Sequence, residues 1–379
     1  MPALLLVTLL ALAPPTQARA AAEVRDLAAL LTPVRERHGL PALGGAIVTS
    51  QGLVALGAVG LRSAASDVEV TREDLWHLGS CTKAMTATLA ARLVERGLLA
   101  WDTTLGEVFG DLRESMDPAW RDVPLRLLLA HRAGAPASLD ADGLWARLWA
   151  HTGTPREQRR TLVEGVLARP PAPPPGTQYA YSNAGYALAG ALLETVADEP
   201  WEELLRREVF EPLGMARAGF GAPGTAGELD QPLGHRLNEQ GPRPQPRGPG
   251  DDNPTAIGPG GSVHASLADW ARFAQAHLLG AQGGGDYLRP GTWRLLHTPP
   301  ADQDYALGWG TAQRPWAGGT VLTHSGSNTM WYCTIWLAPQ KGFGVLAATN
   351  LGGDTATQAC DETCAELVRL WGERGGASH

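Results

Sequence analysis

Strand-like runs stand near both ends of this chain, with a long, mainly helical stretch between them. Gly44–Ser50 and Leu53–Leu61 flank a Ser50-Gln51-Gly52 turn, which is the pattern of a hairpin. Thr320–Thr323, Trp331–Leu337 and Phe343–Thr349 repeat the signal, the last two joined by Pro339-Gln340-Lys341-Gly342. Strands at both ends around a helical middle predict one sheet that both termini build. The expectation is an α/β (α+β) fold: an antiparallel sheet of N- and C-terminal strands, flanked by helices, with an inserted all-helical domain. Residues 24–79 and 290–373 form the sheet part, and residues 80–289 the mainly helical part.

Helical periodicity marks Val24–His38, with Leu27, Leu30, Leu31 and Val34 on one side. It marks Cys81–Arg96 through Met85, Leu89 and Leu93, with Gly97 as the stop, and Asp354–Trp371 as a closing helix. Two Pro/Gly-rich loops interrupt the middle, Arg169–Gln178 and Ala218–Gly261. The second is longer than loops usually are without a function, so it is expected to line a cleft.

A chain of 379 residues, 44% hydrophobic and 18% charged, is globular and long enough for a sizeable core. It has room for two or three ordinary domains, or one large one with an insertion. A net charge of -8 and the lack of a basic run argue against a nucleic-acid partner. Leu4 to Leu12 is an apolar run, followed by Pro14-Pro15 and Ala18-Arg19-Ala20. Residues 1–20 read as a secretory signal, although Met1-Pro2-Ala3 lacks the usual basic side chain. The mature protein is expected to be periplasmic or secreted, with no membrane span; its oligomeric state is left open. Four cysteines without C-x-x-C or Cys/His spacing give neither a disulfide framework nor a metal site.

Two lysines stand against 29 arginines, so charge alone is an arginine task here. Lys341 lies in the turn before Phe343, where it is solvated. Lys83 lies three residues after Ser80, in Ser80-Cys81-Thr82-Lys83. Residues i and i+3 share a helix face, so the amine reaches the hydroxyl. A desolvated amine can release its proton where a guanidinium cannot. That pairing is the base and nucleophile of Ser-Lys acyl transfer. Cys81 points about 100° away around the helix and reads as a buried small hydrophobe.

Two further motifs accompany this one. Tyr181-Ser182-Asn183 opens a helical run after the proline-rich loop, and His324-Ser325-Gly326 ends a short strand. Together and in this order they resemble the S-x-x-K, [SY]-x-N and [KH]-[ST]-G set of the penicillin-recognising serine hydrolases. Tyr in the second motif is similar to class C β-lactamases, DD-carboxypeptidases and family VIII-type esterases. Trp101–Leu105, Leu127–His131, Glu211–Met215, Tyr305–Trp309 and Val345–Asn350 also resemble segments of that family, from about residue 25 to 372.

The resemblance implies Ser80 as nucleophile, Lys83 as proton acceptor, and Tyr181 as acid to the leaving group and activator of water. Which of Lys83 and Tyr181 is the acylation base stays open. It also implies that Asn183 holds Lys83 and the substrate carbonyl, and that Ser80 and Ser327 N–H groups form an oxyanion hole. Gly326 would let substrate lie flat against the strand. His324 stands where β-lactamases carry Lys, which weakens a β-lactamase reading and fits peptidases and esterases. His131 is expected to cap or pack a helix end. The implied substrate is a small molecule or peptide, a D-amino-acid peptide, a short-chain ester or, at low efficiency, a β-lactam. No cofactor is implied. The rival is a non-catalytic relative that keeps the cleft for binding or scaffolding.

Overall fold

The computed structural model describes residues 24–248 and 250–376, so the expected leader lies outside the described residues. The strands of the N-terminal group are β1 (Arg25–Asp26), β2 (Ala42–Thr49) and β3 (Gly52–Gly60). In the middle are β4 (Leu75–His77), β5 (Gly219–Phe220), β6 (His235–Asn238), β7 (Gly241–Pro244) and β8 (Val263–Ser266). The C-terminal group is β9 (Gly310–Arg314), β10 (Gly319–Ser327), β11 (Tyr332–Ala338) and β12 (Phe343–Thr349).

Seven of them form the main sheet, in the order β1-β3-β2-β12-β11-β10-β9. The two ends of the chain meet where β12 pairs antiparallel with β2. All neighbours in this sheet are antiparallel except the two-residue β1–β3 contact, which is parallel. Both faces are covered, and the period-2 alternation of side chains divides β12 between two cores. Val345 and Ala347 pack with Leu31 and Leu367, whereas Leu346 and Ala348 pack with Trp76 and Leu267. The first core holds α1 (Ala28–Arg37) and the closing helix Asp354–Gly376 against the sheet.

Three elements differ from the sequence reading. The first helix starts at Ala28 rather than Val24, because Arg25 and Asp26 pair with β3. The helix Leu267–Ala281, in sequence part of the helical middle, lies against the sheet. It comes so close that a Cβ on Gly44 would stand 2.7 Å from a methyl of Leu267. The segment Ala218–Gly261 is not a bare loop: it holds β5, the β6–β7 hairpin and the helical turns Thr255–Ile257 and Gly258–Gly261.

The feature that positions the site is the length of β10. It continues past Thr323 to Ser327, paired with β11 all the way, whereas β9 pairs with it only as far as Thr323. Among the described residues, the edge from His324 to Ser327 is thereby left without a strand neighbour on that side. The chain that packs against it is Leu78–Ser80, leading into α2 (Thr82–Glu95).

Candidate active site

Ser80 lies in a tight 3-10 turn, Gly79–Cys81, that runs straight into α2. Ser80 is partly exposed, and Lys83, on the first turn of α2, is fully buried. Lys83 Nζ lies 3.0 Å from Ser80 Oγ, 2.7 Å from Asn183 Oδ1 and 2.6 Å from the Gly260 carbonyl oxygen. Burial disfavours the ammonium and brings the Lys83 pKa down from 10.5 to about 7. A shift of that size corresponds to roughly 5 kcal/mol against the charged form.

The partners decide where a neutral amine would aim its lone pair. The oxygens of Asn183 Oδ1 and Gly260 can only accept, so they take the two amine N–H groups. The third direction leads to the Ser80 hydroxyl, which can donate. Tyr181 Oη approaches Ser80 Oγ from another side, at 2.8 Å, and its ring lies 4.8 Å from Lys83 Nζ. Loss of hydration raises the Tyr181 pKa above its ordinary value, opposed by the bond to Ser80, so the phenol keeps its proton and donates. Ser80 Oγ can thus accept from Tyr181 while it donates to Lys83.

The second motif is placed by the helix Asn183–Ala197. Its N-cap is Ser182, whose hydroxyl accepts the Gly185 N–H, so Asn183 stands inside the first turn with its amide oxygen on Lys83. His131, just past the helix Leu125–Leu129, does more than pack that helix end. Its carbonyl accepts the Ala180 N–H at 2.7 Å, and its Nδ1 accepts the Ser182 N–H at 3.1 Å. Its ring lies against Tyr181, with centroids 4.3 Å apart. Burial, then the nearby Lys83 and His324, hold its pKa well below the usual histidine value.

The third motif sits within β10, not at the end of a short strand. Two of its residues stand differently from expectation. His324 is only 9% exposed, and both ring nitrogens are occupied by the protein. Nδ1 is 2.7 Å from the Ser325 carbonyl oxygen, which requires a proton on Nδ1, and Nε2 is 3.0 Å from Tyr305 Oη. The Cβ position of Gly326 is filled by protein: a Cβ there would stand 2.0 Å from Leu78 O and 2.8 Å from Ser80 N. Gly326 thus lets the nucleophile turn close onto the strand, a different reason for glycine than contact with substrate. Ser327 is exposed at the edge.

Tyr181, Ser80, Lys83 and Asn183 form one chain of hydrogen bonds in that order, and Gly326 and Ser327 pack against the turn that holds Ser80. A cavity of about 330 Å³ beside them is lined by Asn183, Ser327, Asn253, Asn328, Trp145 and Asp140. Asn253 comes from the long segment Ala218–Gly261, which also provides the Gly260 carbonyl. Sequence reasoning had no means to name Gly260, since a backbone acceptor leaves no residue signature. Tyr305 lay in a segment noted for resemblance, yet nothing tied it to His324. Cys81 is buried, with Sγ 3.4 Å from the His324 carbonyl oxygen, and is not part of the Ser80–Lys83 line.

Comparison with known proteins gives one family match: the Beta-lactamase family matches residues 27–366. The chain is 28% identical over 344 residues to penicillin-binding protein 4 of Amycolatopsis lactamdurans, covering 88% of this chain and 87% of that one. It is 27% identical over 336 residues to an unguisins hydrolase of Aspergillus violaceofuscus, covering 80% of this chain but 57% of that protein. Among solved structures, the octameric penicillin-binding protein homologue from Pyrococcus abyssi superposes with a TM-score of 0.73 at 23% identity. That match covers 91% of this chain and 77% of the other. Among the described residues, no helix is long and apolar enough to cross a membrane.

Proposed function

Since the chain belongs to the beta-lactamase family, we propose that it is an exported serine hydrolase that opens an ester or amide through an acyl-enzyme on Ser80. The observation that carries this is the contact set of Lys83: two carbonyl oxygens and one serine hydroxyl around a buried amine with a pKa of about 7. At neutral pH about half of such amines are unprotonated. In the proposed first step, Ser80 Oγ attacks the substrate carbonyl as its proton passes to Lys83. The Ser80 and Ser327 N–H groups take the oxyanion, and Tyr181 protonates the leaving group. Water, deprotonated by Tyr181 with Lys83 beside it, then releases the acid and restores Ser80. The leader-like residues 1–20 support export; a mature chain that retains Met1 would contradict that part.

The substrate favoured is one whose leaving group carries no carboxylate, such as a neutral ester. Where a Lys would stand in β-lactamases, His324 turns Nδ1 to the Ser325 carbonyl and Nε2 to the Tyr305 hydroxyl, so neither nitrogen is directed at a leaving group. Labelling by a fluorophosphonate probe separates this reading from a non-catalytic scaffold, since only an activated serine reacts. A panel of a nitrophenyl ester, a D-amino-acid peptide and a cephalosporin then ranks the substrates. His324→Lys is expected to raise the cephalosporin-to-ester ratio of kcat/KM by roughly 5- to 150-fold, the value of a cation beside a carboxylate in a partly desolvated cleft. An unchanged ratio would remove His324 from any role in reading the leaving group.

A further inference from the structure

Asp252, on the long segment before β8, carries a carboxylate that is only 10% exposed and bonds none of Ser80, Lys83 or Tyr181. Its Oδ2 lies 2.8 Å from His77 Nε2, and its Oδ1 accepts from Asn328 Nδ2 at 3.0 Å and from the Asn253 N–H at 2.8 Å. Burial alone would raise its pKa; the facing His77 and these hydrogen bonds outweigh it and hold the carboxyl below its ordinary range.

Both side chains that Asp252 grips lead to the nucleophile. His77 is fully buried at the end of β4, and its Nδ1 accepts the Gly79 N–H at 3.1 Å. An acceptor at Nδ1 puts the ring proton on Nε2 when the ring is neutral, where it points at Asp252. Gly79 has a φ of +46° and opens the turn that holds Ser80. Asn328 follows Ser327 directly, and its Oδ1 accepts the Met330 N–H at 3.2 Å. The two segments touch: a Cβ on Gly79 would stand 2.3 Å from Ser327 N.

We infer that Asp252 is a positioning residue that sets the separation of the Ser80 and Ser327 N–H groups, through His77 on one side and Asn328 on the other. This rests on the serine hydrolase reading above, in which those two groups bind the oxyanion. Asp252→Asn keeps size and shape but replaces one acceptor with a donor. If the amide N–H₂ faces His77, the ring must either leave Asp252's place unbonded or move its proton to Nδ1, against the Gly79 N–H. If it faces the other way, it meets the N–H donors of Asn328 and Asn253. Every arrangement loses a bond that Asp252 now makes.

The test uses the full chain and compares kcat, KM, thermal midpoint and the affinity of an arylboronic acid, whose serine adduct places an oxygen in the oxyanion position. Removing an oxyanion donor outright costs about 100- to 1,000-fold in kcat; its displacement by Asp252→Asn is expected to cost roughly 10- to 100-fold, with KM within about threefold. Boronate affinity should fall by a similar factor. His77→Asn, whose side-chain oxygen can still accept the Gly79 N–H two residues on, should keep several-fold more kcat than His77→Leu. An Asp252→Asn kcat within twofold of wild type, an unchanged boronate affinity, or equal His77→Asn and His77→Leu enzymes would overturn the inference. Should Asp252→Asn fail to fold, the His77 pair decides alone. A wild-type protein that no fluorophosphonate labels would instead overturn the hydrolase reading, before any variant is compared.

Discussion

Lys83→Arg is expected to lower kcat/KM for a nitrophenyl ester about as far as Lys83→Ala, by roughly 100- to 10,000-fold, the usual worth of a general base. Charge is kept in one variant and lost in the other, so the comparison isolates proton transfer. A guanidinium stays protonated in proteins and cannot take the Ser80 proton. The Lys83 site is also closed, with Nζ within 3.0 Å of three oxygens and the residue fully buried, so the fold of each variant needs its own check. The thermal midpoint of each variant, set beside that of the wild type, supplies it. An arginine enzyme that keeps most of its activity would make Lys83 an electrostatic anchor and leave the base unassigned.

Ser80→Ala is expected to abolish fluorophosphonate labelling and to cut ester turnover by at least about a thousandfold, with the thermal midpoint nearly unchanged. Ser80 is partly exposed and among the described residues its hydroxyl bonds only Lys83 and Tyr181, so its loss removes little packing. Turnover within about tenfold of wild type would mean that some other group attacks the substrate. Cys81 is the nearest alternative in sequence, but its sulfur is buried against the His324 carbonyl.

The parts of this site that the sequence shows are the local ones. Ser80 and Lys83 are three residues apart, and helix geometry alone brings their side chains together. Asn183 and Tyr181 came through resemblance, and the structure seats both against that pair. The helix that carries Asn183 is capped by Ser182, which leaves the Asn183 amide turned to Lys83. The end of β10 was missed because His-Ser-Gly-Ser has no apolar alternation. Its strand character comes from pairing with β11, a tertiary effect that propensity does not carry. Gly260, Tyr305 and the His77–Asp252–Asn328 chain were hidden for a related reason. Each contact joins residues far apart in sequence, some through backbone atoms that every residue has.

The claim on which the rest depends is that a neutral Lys83 amine draws the proton from Ser80. The rate of Ser80 labelling by a fluorophosphonate, followed from about pH 5.5 to 10, tests it most directly. The base works only when unprotonated, so with the Lys83 pKa at about 7 the rate should rise through neutrality and level off above about pH 8.5. Lys83→Ala should lose that inflection along with the rate. A wild-type profile flat across neutrality, or one still climbing near pH 10 as an ordinary lysine would require, would contradict the account.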